Sequence, residues 1–238
     1  MDISGYSVNK STLEERQRNL TYTRFLYLLL AVELIIALIW TSFCISYWNK
    51  LGAPIVKWWE FGLVAGILSG LLILATFFVA AVRRFPINWA IYFLFTLVFA
   101  HFWAFLCCLD ETRFLYFALW LLTAISIGFA LYSTVATYYM QTTESTLVVL
   151  GSSLPVLLAF LAFTEMDFFI LILVYIPVVI FGIYLALDLR TMLKHNLYDT
   201  NEEDAVAGAV RIWIESVLVF CRLGELVGSM FYKPKVIA

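Results

Sequence analysis

The stretch Phe168–Leu187 reads FFILILVYIPVVIFGIYLAL, twenty residues without a charge, and Asp188 follows it directly. A helix of this length, rising about 1.5 Å per residue, crosses a hydrocarbon core of roughly 30 Å. Runs of the same character recur at 25–47, 60–82, 87–109, 114–139 and 146–163, with a weaker one at 205–231. Boundaries read this way carry an error of ~3 residues. Connections are short, so neighbouring helices run antiparallel in one bundle. The expected fold is an all-α membrane protein with seven transmembrane helices. Residues 1–23 form a cytosolic N-terminal tail, 24–233 the seven-helix transmembrane domain and 234–238 a short C-terminal tail.

Composition agrees. Hydrophobic residues make up 63% of the chain and charged residues 13%, against ~25% charged in ordinary soluble domains, which leaves no room for a soluble domain. The formal net charge of −2 points away from a nucleic-acid partner. Cys44, Cys107, Cys108 and Cys221 all fall in apolar segments without metal-ligand spacing and read as small core hydrophobes. The first apolar run begins only at Phe25 and is long enough to span, so it reads as an uncleaved anchor rather than a signal peptide.

Basic residues set the orientation. With the N-terminus inside, Lys10, Arg16, Arg18, Arg24, Arg83, Arg84, Arg190 and Lys194 are cytosolic, while Lys50, Lys57, Arg113, Lys233 and Lys235 lie opposite. The tail and the Arg83-Arg84 turn favour this N-in arrangement. Asn9 and Asn19 sit in glycosylation acceptor patterns, yet an inside tail never meets the glycosylating enzyme. Ser11-Thr12-Leu13-Glu14 offers a capping box for a short amphipathic helix leading into the membrane.

The last run carries the most information. Asp204, Arg211, Glu215, Arg222 and Glu225 are spaced by 7, 4, 7 and 3, intervals that keep them on one helix face. Such a helix either lies on the membrane surface or spans it with the polar stripe turned inward. Arg211 and Glu215 are one turn apart and can neutralise each other. A charge at the bilayer centre costs ~3 kcal/mol on insertion scales, so Asp188 and Glu215 are the leading candidates for function.

Other polar groups within the runs are few. Glu33 supports that acidic pair from outside it or takes no part in it, and the sequence leaves both readings open. Glu60, beside Trp58 and Trp59, reads as interfacial, and His101 as a hydrogen-bonded packing residue. Gly62, Gly66 and Gly70 form a small face for close approach to a neighbouring helix.

Several chemistries are disfavoured. Residues 205–231 hold no lysine for retinal, and His101 and His195 are too few for a zinc hydrolase. No Walker loop, GxGxxG or GxSxG occurs. No DRY-like triplet or NPxxY marks a rhodopsin-type receptor. An enzyme is not expected.

Five fragments carry a family resemblance. Arg24-Phe25-Leu26-Tyr27 with Glu33-Leu34 resembles an R-x-V-Y…Q-L opening, and Arg83-Arg84-Phe85-Pro86-Ile87-Asn88 with Phe95-Thr96-Leu97 resembles an R-R-x-P-x-N…F-T-L turn. Tyr138-Tyr139-Met140-Gln141-Thr142 resembles Y-x-x-Q-T, and Tyr184-Leu185-Ala186-Leu187-Asp188 resembles the start of Y-L-x-x-D-T-Q. Glu202-Glu203-Asp204 leading to Trp213-Ile214-Glu215 resembles E-E-Y…L-Y-L-D. In this order the fragments resemble the Bax inhibitor/Lifeguard family, the transmembrane Bax inhibitor motif proteins, over nearly the whole chain after the tail.

The resemblance implies a seven-helix bundle with the last helix central, residence in Golgi, endoplasmic reticulum or plasma membrane, a pH-sensitive calcium leak, and suppression of cell death. It places Asp188 and Glu215 at the two acidic positions that share a proton and gate the leak. Physics is compatible with this, because two close carboxylates cannot both ionise without a large penalty and calcium prefers carboxylate oxygens. No cofactor is implied beyond calcium as permeant or regulatory ion, held transiently by Asp188 and Glu215, and partners are death-regulatory or other membrane proteins.

The departures suit a divergent member, such as the copies carried by large DNA viruses. D-T-Q is Asp188-Leu189-Arg190 here, and the second aspartate is Glu215. The acid of the third span falls at Phe99, and residues 61–82 lack the basic latch of the second helix. Arg211 could take the latch part from within the last helix, with Arg190 and Glu33 as further supporting groups. A guanidinium beside the pair also repels calcium, which opens a second reading: a non-conducting interaction protein on the same fold that modulates death, stress or immune signalling.

Overall fold

The computed structural model describes residues 3–51, 59–79, 84–108, 113–136, 141–194 and 205–213. Every element among them is helical. The helices are α1 (Ile3–Leu51), α2 (Trp59–Phe78), α3 (Ile87–Cys108), α4 (Arg113–Val135), α5 (Thr142–Phe163) and α6 (Phe168–Lys194), with a further helix, α7, over 205–213.

Five helical segments are long and apolar enough to cross a membrane: Gln17–Ser46 within α1, α3, α4, α5, and Phe168–Leu187 of α6. In α2 the apolar stretch is shorter, Gly62–Thr76, and the expected seventh span at 205–231 is described only to residue 213. Large hydrophobic side chains also cover the outside, among them Ile39, Leu97, Leu131, Leu147, Phe163 and Leu173. Such continuous apolar surface exceeds what a soluble monomer exposes and suits a lipid surround. The chain is a helical protein with helices apolar enough to be embedded in a membrane.

The N-terminal region differs from the expectation of a separate short helix beginning at Ser11. One unbroken helix runs from Ile3 to Leu51. Between Tyr6 and Leu51 the sequence has neither glycine nor proline, and Gly52-Ala53-Pro54 follows the last helical residue. Nothing in the Ser11–Glu14 segment forces a break, so it lies inside the helix.

Local signals set other ends. The Glu144 carboxylate reaches back to accept from the Gln141 backbone N–H at 2.8 Å at the start of α5. Asp167 Oδ1 accepts from the Phe169 N–H at 3.0 Å at the start of α6. Arg24 closes α4 from another helix: its Nε donates to the Ser133 carbonyl and its Nη2 to the Ala136 carbonyl, both at 2.7 Å. Carbonyls in the last turn lack intrahelical partners, and a cation there also meets the negative end of the helix dipole.

α1 packs mainly on α3 and α4, α2 on α3, α5 on α4 and α6, and α6 also on α4. Tyr92 of α3 donates its hydroxyl to the Leu29 carbonyl of α1 at 2.7 Å, and Ser42 of α1 pairs with Tyr116 of α4 at 2.9 Å. The core gathers Leu26, Leu34, Phe95, Phe117, Leu121 and Phe129 from α1, α3 and α4. α7 reaches this core too: Ala205, Val206, Ala207, Ala209, Val210, Arg211 and Ile212 are all buried. A helix buried around its circumference is an interior element, so the surface-lying alternative does not describe 205–213.

The small face on α2 meets α3 as its spacing predicts, at two of three positions. A Cβ on Gly62 would run into the Phe105 ring, and one on Gly66 would come within 2.9 Å of Phe102, whereas Gly70 faces open space.

Candidate functional site

The site builds outward from Glu33. This residue lies in the middle of the apolar stretch of α1 and is completely buried. A carboxyl withdrawn from water needs hydrogen-bond partners, and the indole of Trp213 supplies one: Nε1 donates to Glu33 Oε1 at 2.6 Å. Oε2 has no hydrogen-bond partner among the described residues. The Trp213 ring also packs on Phe99 of α3, with centroids 4.4 Å apart and planes tilted by 42°. Phe99 stacks in turn on Phe95 at 5.3 Å. An acid from α1 and an aromatic ring from α3 therefore meet on the same α7 tryptophan.

Arg211 sits two residues earlier on α7, which turns its side chain away from that of Trp213. It is buried to 4% exposure, and its Nη2 donates to the Thr76 carbonyl of α2 at 2.5 Å. Thr76 belongs to the last turn of α2. Arg211 thus meets the end of α2 much as Arg24 meets the end of α4.

A small cavity of ≈ 20 Å³ lies where α1, α4, α6 and α7 converge, lined by Leu30, Leu34, Leu122, Ile125, Ser126, Phe181, Gly182, Leu185, Ile212 and Trp213. It is large enough for a single water molecule, and its lining is almost wholly apolar. Gly182 and Ile125 explain the tightness: a Cβ on Gly182 would come within 3.1 Å of Ile125.

The residues singled out in the sequence fare differently. The structure joins Glu33 to α7 and Arg211 to α2. Asp188 and Arg190 lie within the α6 helix, but their side chains are outside the described residues, as is the whole of Glu215. The proposed calcium ligands are therefore not among the described groups. Among those that are, no three His, Cys, Asp or Glu side chains converge as a metal site. Glu60 is exposed, and His101 is half-buried with Trp40 6.4 Å away. Nothing in the local sequence marks Trp213 as the partner of Glu33. The one signal for it was the demand of a buried Glu33 for a donor, and a donor 180 residues distant leaves no trace in local spacing.

No family model, characterised protein or solved structure matches the chain. Its helices and their apolar surfaces define the class, a helical membrane-embedded protein.

Proposed function

We propose that the chain is a multi-pass, seven-span protein of Golgi, endoplasmic reticulum or plasma membrane, with its N-terminus in the cytosol and its last helix central. In this reading it leaks cations, calcium foremost, in a pH-sensitive way through the pair Asp188 and Glu215, and so modulates calcium homeostasis and suppresses cell death. Calcium is cargo or regulator, and no catalytic step is involved. One observation supports this most: Leu185 of α6 and Ile212 and Trp213 of α7 line one small cavity. Asp188 follows Leu185 by three positions in the sequence and Glu215 follows Trp213 by two. The family resemblance gives the pair its role.

The test is calcium release from liposomes holding the purified protein, from mildly acidic to mildly basic pH. Asp188→Asn and Glu215→Gln are expected to abolish the release or change its pH dependence. Unchanged release in both variants, or none from the parent protein, rejects the reading.

A second reading is favoured by Arg211, whose fixed positive charge is buried in the bundle and repels a passing calcium ion. The chain is then a non-conducting protein that binds other membrane proteins in death, stress or immune signalling. It predicts a captured partner whose binding survives neutralisation of both carboxylates.

A further inference from the structure

Glu33 is a costly residue for its place. One oxygen accepts from Trp213, while the other has no hydrogen-bond partner among the described residues, and the side chain is fully buried. A contact serving packing alone needs no ionisable group, because a leucine would fill the position without the desolvation cost. Trp213 in turn is held from α1 by the Glu33 carboxyl and from α3 by the Phe99 ring, and it lines the cavity shared with α6. Tyr92 ties α3 to α1 through the Leu29 carbonyl, one turn before Glu33, so the two helices that grip Trp213 are themselves joined. Trp213 stands two positions from Glu215 in the chain.

We propose that Glu33 and Trp213 form a clasp that holds α7 in register with α1, and that the leak depends on this clasp. Glu33 is a positioning residue here, acting through the indole rather than on the ion. The inference rests on the leak reading for its consequence, but the clasp itself can be measured without any flux.

The experiment uses full-length protein labelled with 5-fluorotryptophan in lipid nanodiscs, with the Trp213 fluorine resonance assigned by its disappearance in Trp213→Phe. Glu33→Gln, which keeps an acceptor oxygen, is compared with Glu33→Leu, which does not, and calcium release from liposomes is recorded for the same proteins. The expected result is that Glu33→Gln keeps both the resonance position and the release. Glu33→Leu shifts the resonance and loses the pH-dependent release, and Trp213→Phe loses the release as well. A resonance that does not move in Glu33→Leu overturns the clasp. A resonance that moves while release stays parental overturns the positioning role, as does parental release from Trp213→Phe should Glu33→Leu not fold. Absence of release from the parent overturns the leak reading alone, and the resonance then decides the clasp.

Discussion

Arg211 donates to the Thr76 carbonyl at 2.5 Å, so a buried guanidinium on the last helix closes the end of the second. The contact is made in the last turn of the second helix, and it places the positive charge at the negative end of a helix dipole. Hydrogen bonds from charged donors contribute about 1.5–3 kcal/mol each. Arg211→Gln is expected to lower stability by about that amount, read as a lower Tm in detergent or lipid. On the leak reading it also removes a buried positive charge, so in liposomes that release calcium it should raise the release at every pH. A Tm equal to the parent's would show that the contact carries no weight.

Arg24 makes the equivalent contact at the end of α4, through two hydrogen bonds, but at an exposed position. Solvent weakens it, and Arg24→Ala should cost only about 1 kcal/mol. Because water screens this site and not the Arg211 site, added salt should shrink the Arg24→Ala effect and leave that of Arg211→Gln nearly unchanged. Thermal melts of both variants at low and high salt make the comparison. Equal salt sensitivity would contradict the difference in burial.

The glycines of α2 give a graded series. Gly62→Ala places a methyl group against the Phe105 ring and Gly66→Ala one close to Phe102, whereas Gly70→Ala meets open space. Overpacking of this kind costs about 1–3 kcal/mol. The order of melting temperatures should therefore be Gly70→Ala at or above the parent, then Gly66→Ala, then Gly62→Ala. A reversed order would mean that α2 does not lie against α3 along this face.

Orientation is open to a chemical test. With the N-terminus in the cytosol, neither Asn9 nor Asn19 meets the glycosylation machinery. Protein made in cells with an intact secretory pathway should show no mobility shift on endoglycosidase treatment. A shift that Asn9→Gln or Asn19→Gln abolishes would invert the topology.

The fold was legible where one physical signal dominates. Twenty uncharged residues from Phe168 to Leu187 admit little but a buried or membrane-crossing helix, and α6 forms there. The Gly62 and Gly66 spacing announced a close helix contact, though not that Phe105 and Phe102 would fill it. At the N-terminus the polar side chains of residues 1–23 suggested a separate segment. Helix continuation depends on the absence of breakers rather than on polarity, and α1 runs straight through. The pairing of Glu33 with Trp213 was not legible, because a tertiary hydrogen bond between residues 180 positions apart has no local periodicity to betray it. Asp188 and Glu215 stand out in the sequence by their cost in an apolar setting, and their side chains lie outside the described residues.

The unbroken α1 has a mechanical consequence. At about 1.5 Å per residue its 49 residues make a rod roughly 70 Å long, more than twice the thickness of a hydrocarbon core. The segment before Gln17 accounts for roughly 20 Å of that length, beyond the apolar stretch that begins there. Glu33 rides on the same rod, with no glycine or proline hinge between it and Tyr6. The residues before Gln17 and the turn that bears Glu33 are therefore parts of one continuous helix, and the Glu33–Trp213 contact ties that whole length to the last helix.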